Sequence, residues 1–372
     1  MLNYSVAELR INIKFMNNVV NYKYKVSIIL PCYNVACYID NAVNAILKQT
    51  FTDYEVIFIN DGSTDNTSEI IKKHCFRSQF NVYDFPNQGV AQARNEGIKL
   101  SQGEYIYFMD PDDDIDARLL EISIEECEKN QADAIQFHYK SNGTDFNGNK
   151  GNAIYEGNEI LKELVPRFIG YAGNSLKQFG KSAFYETNEW ASVWRFLFKS
   201  SVIKNNHIIF PKGVKMSEDR FFILRFLCYA NKVVTIDQQL YHYIIRDSGC
   251  MSQGLINPKA LLSNKIDGVR ERGIVRDIFI KKKNTDIFCY YSGSLVLSLL
   301  ELYVKLSDFS FILGWKAICT YVSLSDVKTA IKSICLSGCP LRISVPLFLI
   351  RNRLGFLLFG LLWLLKRLKV IK

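Results

Sequence analysis

Histidine is scarce in this 372-residue chain, with four in all, and no Cys-x-x-Cys pair occurs among its ten cysteines. The cysteines stand at 32, 37, 75, 127, 228, 250, 289, 319, 335 and 339, a scatter that offers no zinc-ligand spacing and no disulfide scaffold. Free thiols in a reducing cytoplasm, most of them small core hydrophobes, are the expectation. Low-complexity tracts and internal repeats are missing. Charged residues at 22% lie near the ordinary soluble level, which excludes a disordered or fibrous chain. The N-terminus carries Glu8 and Arg10 in its first turns and has no apolar run of signal-peptide length. From Leu341 onward acids are absent, while seven bases occur: Arg342, Arg351, Arg353, Lys366, Arg367, Lys369 and Lys372. These seven account for all but two of the nine net positive charges. The body is therefore nearly neutral, and a broad nucleic-acid footprint is excluded.

What is present is a large apolar fraction, 48%, with 13% aromatic residues, ample for a sizeable core. At roughly 150 residues per domain the length allows two to three domains. Residues 1–24 read as a polar extension. From Lys25 the pattern sharpens into alternating strands and helices. Short apolar runs at Val26–Leu30, Val56–Ile59, Val82–Phe85 and Tyr105–Met109 are separated by helical faces such as Ile39, Ala42, Val43 and Ile46. That alternation predicts an α/β fold with a mostly parallel sheet covered by helices on both faces. Ligands in such sheets bind outside the carboxyl ends of the strands. Polar clusters follow three of the four strands, at Pro31–Asn34, Asp61–Ser63 and Asp110–Asp114. Residues 141–152 read as a loop insertion. The core domain is expected over 25–245, in halves 25–120 and 121–245, followed by a helical region over 246–340 in which Val296, Leu299 and Leu300 form an apolar patch.

The tail, 341–372, is different. Leu354–Leu365 is twelve residues without charge, bracketed by Arg351, Arg353, Lys366 and Arg367. A helix of that length spans roughly 18 Å, short of the roughly 30 Å hydrocarbon core. Basic flanks and Trp363 near one end predict a monotopic helix lying in a membrane interface. The competing reading docks the same helix onto the protein body.

Four clusters can carry chemistry. Asp110, Asp112, Asp113 and Asp114 crowd five positions past a strand, where mutual repulsion favours a hard cation such as Mg²⁺ or Mn²⁺; a solvated acidic turn is the plain alternative. Asp61 can accept hydrogen bonds from a base or ribose, although Asp-Gly-Ser is also ordinary turn chemistry. Glu218-Asp219 can supply a general base, or can simply be two acids in a helix first turn behind Ser217. Trp190, Trp194, Phe196 and Phe198 are core residues or a sugar-stacking surface. His242 is a satisfied histidine or a ligand to metal or phosphate.

Together, Val26-Ser-Ile-Ile-Leu-Pro-Cys-Tyr-Asn34, Asn60-Asp-Gly-Ser-Thr-Asp65, Gly89-Val-Ala-Gln-Ala-Arg-Asn95 and Met109-Asp-Pro-Asp-Asp113 resemble the motifs of family 2 glycosyltransferases. These are inverting enzymes of the nucleotide-sugar-binding GT-A fold. A second stretch, Val193-Trp-Arg195 through Met216-Ser-Glu-Asp-Arg-Phe-Phe222 to Leu240-Tyr-His-Tyr243, resembles bacterial surface-polysaccharide members. The resemblance implies that Pro31, Tyr33 and Asn34 meet the nucleotide, Asp61 holds uracil and Arg94 supports the nucleotide site. It implies further that Asp110, Asp112 and Asp113 serve ribose and metal, with Asp112 expected on the ribose and Asp113 on the ion, and that Asp219 beside Glu218 is the general base. His242 falls where some relatives place a further metal or diphosphate ligand. Two positions depart from the pattern: Asn60 replaces a frequent Asp, and Phe196 stands near a frequent Lys.

The implied reaction is transfer of one sugar, with inversion, from a UDP-sugar to a lipid-linked glycan, assisted by Mn²⁺ or Mg²⁺. Its implied location is peripheral, on the inner face of the cell membrane. Two rivals start from the same residues. An Asp-x-Asp strand end also suits a metal-dependent phosphohydrolase, though Asp114 stands where those carry Thr or Val. A non-catalytic membrane-docked scaffold would have to explain the polar clusters at three strand ends.

Overall fold

The computed structural model describes residues 22–141, 144–146, 151–169, 191–214, 217–246, 257–282, 287–337, 339 and 341–369. Trp190 and most of the N-terminal extension lie outside these residues.

The four apolar runs form parallel strands, β1 (Tyr24–Cys32), β2 (Tyr54–Asp61), β3 (Phe80–Phe85) and β4 (Gly103–Phe108), in the spatial order β3-β2-β1-β4. β2 is buried at every position, which is why its sequence runs apolar without alternation. Three helices cover this half: α1 (Ala36–Leu47), α2 (Thr67–His74) and α3 (Val90–Leu100). α1 lays Ile39, Ala42, Val43 and Ile46 on Val26, Ile28 and Leu30. α3 covers the opposite face, where Ala93 meets Ile57 and Ile59. It closes on β1 at Gly97, where a Cβ would fall 2.3 Å from the Ile29 side chain.

The chain then adds β5 (Asp114–Ile115), α4 (Leu119–Asn130), β6 (Ala134–Ser141), β7 (Thr144–Phe146), β8 (Ala153–Glu156), α5 (Val165–Ile169), β9 (Phe196–Lys199), α6 (Ser200–Asn205), α7 (Glu218–Tyr229) and β10 (Lys232–Tyr243). The sheet continues as β4-β9-β6-β10-β5 and holds ten strands among the described residues. β9 runs antiparallel to both β4 and β6, so the sheet is mixed. Part of the expected loop insertion is strand, since β7 pairs with the end of β6. Phe196 and Phe198 are fully buried in β9, in an aromatic core shared with Phe108, Phe210 and Phe222.

Beyond Asn257 the described chain is helical: α8 (Pro258–Lys281), α9 (Ile287–Leu306), α10 (Phe311–Ser323), α11 (Ser325–Ser333), α12 (Leu341–Arg351) and α13 (Gly355–Arg367). Asn257 caps α8, its Oδ1 accepting from the Ala260 N–H, and Pro258 fills the first helical position, where no N–H is needed. The bundle has its own core around Leu295, Leu299, Leu302, Ile318 and Tyr321, with Val296 inside it and Leu300 at its margin. α8 also sends Val275 and Phe279 into the core beneath α7.

The tail helix forms as expected, but one side of it is seated on the bundle. Leu358 and Phe359 are buried, the Trp363 indole N–H donates to the Phe309 carbonyl at 3.0 Å, and Lys366 pairs with Asp308 at 2.6 Å. Its other side bares Phe356, Leu357, Leu361 and Leu364. Phe356 packs edge-on against Phe311, and the residues after Phe311, Ile312 and Leu313, are exposed too. Among the described residues no helix is long and apolar enough to cross a membrane.

Candidate active site

β1 lies between β2 and β4, so the winding of the sheet reverses there and opens a crevice at the carboxyl ends of these strands. The loops after β1 and β2 are tied to each other. Asn34, at φ 52°, donates its N–H to Ser63 Oγ at 3.1 Å and accepts the Thr64 N–H on Oδ1 at 2.8 Å. Gly62 is required where it stands: its φ is +70°, and a Cβ would lie 2.7 Å from the Asn87 nitrogen. Asp61 is 4% exposed and accepts backbone N–H groups from Gln88 at 2.9 Å and Gly89 at 2.8 Å, fixing the entry to α3. Asn60 donates to Asp84 Oδ1 at 2.7 Å and accepts from the Ser63 N–H, two bonds of opposite sense that an Asp could not both make. Pro31 is buried at the end of β1, while Tyr33 is 49% exposed beside it.

Arg94 is the hub of the site. It is buried on α3, stacks 5.4 Å from the Phe210 ring, and donates to Asp219 Oδ1 at 2.6 Å and Asp110 Oδ1 at 2.9 Å. Glu218 is 3.9 Å away. Burial works against the guanidinium charge, but Asp219, Asp110 and Glu218 outweigh it and hold the cation firmly protonated. The second oxygen of Asp219 accepts the Val193 N–H at 3.1 Å. Burial pushes the Asp219 carboxyl up, against the pull of Arg94. Glu218 is pushed up to about 7, by burial first and by Asp219 second. Ser217 precedes α7 at φ 74° and makes no capping hydrogen bond, so the plain helix-cap reading of Ser217-Glu-Asp is not how this turn is held.

The acidic loop divides its side chains. Asp113 is 5% exposed and accepts from the Tyr241 hydroxyl at 2.6 Å and the Ile244 N–H at 2.8 Å. Burial, with Asp110 nearby, pushes its carboxyl up to about 7. Tyr241 is itself stacked on buried Trp194 with ring centroids 4.1 Å apart. Asp112 is more open and accepts from Arg246 Nη1 at 3.0 Å, and the same arginine also binds the Asp112 carbonyl and sits over the Tyr38 ring. Tyr38, Tyr241 and Arg246 were not singled out from sequence. Tyr241 lies inside the Leu240-Tyr-His-Tyr243 motif, but Tyr38 and Arg246 carry no local signal.

His242, one residue past Tyr241 and so on the other side of the strand, faces Asp114 at 3.6 Å instead of Asp110, Asp112 or Asp113. Burial, then Lys140, lowers its pKa. Among the described residues no three acid, histidine or cysteine side chains converge as a preformed metal cage. Asp112 and Asp113 nonetheless form an all-oxygen donor pair with lone pairs to spare. That suits a hard cation which completes its shell with phosphate oxygens. Asp110 is tied through Oδ1 to Arg94.

The sequence profile of Glycosyl transferase family 2 matches residues 27–199. The chain is 30% identical to the glycosyltransferase GlyG of Streptococcus pneumoniae over 228 residues, which is 61% of this chain and 72% of GlyG. It is 29% identical to the uncharacterized glycosyltransferase EpsJ of Bacillus subtilis over 59% of this chain. Against the poly(ribitol-phosphate) beta-N-acetylglucosaminyltransferase TarP of Staphylococcus aureus it is 31% identical over 60% of this chain. These matches span 60% of EpsJ and 63% of TarP. In three dimensions the chain is similar to residues 1–349 of S. aureus TarS, solved with UDP-GlcNAc, at a TM-score of 0.61 and 20% identity over 93% of this chain and 92% of that one. The profile match and the relatives, GlyG above all, place this chain in glycosyltransferase family 2, and the shared fold agrees with that.

Proposed function

We propose that the protein is an inverting glycosyltransferase that moves one sugar from a UDP-sugar to a hydroxyl of a lipid-linked glycan in bacterial surface-polymer synthesis. The observation that carries the reading is the Arg94 cluster. It gathers a carboxylate from the strand-end loop, Asp110, and one from the acceptor half, Asp219, at one point of the crevice. Donor class is supported by the fold shared with a protein solved with UDP-GlcNAc. Pro31, Tyr33, Asn34 and Asp61 line the base side. Each Asp61 oxygen carries one backbone bond and keeps a lone pair for an imide N–H. Asp112 and Asp113 would hold Mn²⁺ or Mg²⁺, which when bound neutralises charge on the diphosphate.

Asp219 takes the proton from the acceptor hydroxyl as that oxygen bonds to the anomeric carbon. The bond from that carbon to the diphosphate oxygen breaks on the opposite face, and UDP leaves. Arg94 orients Asp219 during the transfer, and the Val193 N–H fixes its second oxygen. The exposed apolar side of α13, flanked by Lys366 and Arg367, is the surface that meets the membrane carrying the acceptor.

A thermal-shift series with UDP, GDP, dTDP and CMP, with and without Mn²⁺, tests the donor class, because a ligand that binds only the native state raises its melting temperature. The expected result is a Mn²⁺-dependent shift with UDP that Asp112→Ala abolishes. No shift with any nucleotide in folded protein would overturn the reading.

A further inference from the structure

Behind the first turn of α7 lies a second charged cluster, outside the crevice already described. Arg220, next to Asp219 in sequence, points toward α8 and α9, where Arg272 and Glu301 act on its charge. Its Nε is buried with no hydrogen-bond partner, and the guanidinium pairs with no carboxylate among the described residues. Arg272 is in the same position. It donates to the Gly268 carbonyl of its own helix and lies over Phe221, but its Nε is likewise buried and unpartnered.

The nearby acids are committed elsewhere. Glu301 binds Lys265 at 2.5 Å and Lys305 at 2.6 Å, Glu271 is taken by Arg225, and Asp326 by Tyr291 and Arg276. Among the described residues Arg220, Arg272, Lys265 and Lys305 therefore share one carboxylate, Glu301. An excess of partly buried cations with unmet donors is held together by a counter-anion. Guanidinium pairs suit the tetrahedral, multi-oxygen geometry of phosphate.

We propose that this cluster is a phosphate-binding subsite for the acceptor, gripping a phosphate or diphosphate group between Arg220 of α7 and Arg272 of α8. Adjacent Cα atoms are about 3.8 Å apart. The same helical turn thus carries both Asp219, which meets the reacting hydroxyl, and Arg220, which meets the phosphate. Burial and the facing arginine lower the charge preference of Arg220, the cost that a bound dianion would remove. The acceptor assignment rests on the transferase reading; phosphate binding itself does not.

The test is calorimetric titration of the full chain with inorganic phosphate, and separately with a short-chain alkyl diphosphate in detergent micelles, each repeated in saturating UDP. One phosphate per chain should bind, undisplaced by UDP, and Arg220→Gln and Arg272→Gln should each weaken it at least tenfold. Tighter binding of the alkyl diphosphate than of phosphate identifies a lipid carrier as the source; equal binding identifies a phosphate within the glycan. Glu301→Gln, which removes the competing carboxylate, should tighten both. Arg220→Lys, which retains the charge, serves if Arg220→Gln does not fold. No binding, binding that UDP displaces, or binding indifferent to both arginine substitutions would overturn the proposal. Phosphate binding without any UDP binding would count against the transferase reading and the acceptor assignment, while leaving the anion site standing.

Discussion

Arg94 and Asp219 are separated by 125 positions in the chain, yet Arg94 Nη1 donates to Asp219 Oδ1 at 2.6 Å. With the Val193 N–H on its other oxygen, Asp219 is held from two sides and its carboxylate cannot rotate freely. That is the arrangement a positioned proton acceptor needs.

Asp219→Asn keeps the shape and removes the proton acceptor. The expected loss in kcat is about 10²- to 10⁴-fold, with the donor KM within about threefold, read from steady-state UDP release. Activity within tenfold of wild type would move the base to another residue.

Arg94→Met leaves Asp110, Glu218 and Asp219 facing one another without their common cation. Breaking a buried charge network in this way costs about 3–5 kcal/mol. Urea unfolding should show the midpoint falling accordingly, and transfer should be lost with it. A stability change under about 1 kcal/mol would mean that the cluster is solvated in solution.

Glu218, raised to about 7 in the folded chain, gives a pH-dependent prediction with a definite sign. A carboxyl whose folded pKa lies above its unfolded value adds nothing to the balance below the unfolded value, near 4.3. Its opposition to folding builds up as pH rises from the unfolded value to the folded one and is constant above it. Glu218→Gln removes that opposition. In donor-free enzyme the variant should gain about 1 kcal/mol at pH 5 and about 3–4 kcal/mol at pH 8. A gain that is larger at pH 5 than at pH 8 would sink this account.

Tyr241→Phe deletes the hydroxyl that donates to Asp113 at 2.6 Å but keeps the ring stacked on Trp194. Leaving a buried carboxylate short of a donor should cost about 1–3 kcal/mol in chemical denaturation. An unchanged unfolding midpoint would show that water replaces the phenol.

The exposed side of α13 is testable without touching the core. Leu357→Glu with Leu361→Glu alters two exposed positions, so the melting temperature should stay within about 3 °C of wild type. Sedimentation with anionic lipid vesicles should fall at least tenfold, since both apolar contact and charge attraction are weakened. Equal sedimentation would exclude this face as the lipid contact.

Much of the parallel half was legible because buried strands read as unbroken β-branched runs and the loops after them carry polar residues that no core needs. Val26–Leu30 and Val56–Ile59 show this directly. The antiparallel half was not, because β9 is four residues and β7 three, too short for a period to declare itself. The site was half legible. Arg94, Asp110 and Asp219 converge, whereas His242 turns to Asp114; Tyr241 lay within a motif already marked, but Tyr38 and Arg246 entered through packing that local sequence does not encode. The tail was legible as a helix from its apolar run, but whether it seats on protein depended on Tyr303, Phe309 and Phe311, which lie tens of residues upstream.

The Arg94 hub also bears on how such a chain can change over evolutionary time. One guanidinium answers to carboxylates at 110 and 219, so none of these three positions can drift alone without stranding a buried charge. Under the proposed function, divergence in donor or acceptor preference would have to be written elsewhere, in surfaces such as the exposed ring of Tyr33 or the arginine pair behind α7. Paralogues with new sugar specificities are accordingly expected to vary there first while keeping the 94–110–219 triangle intact.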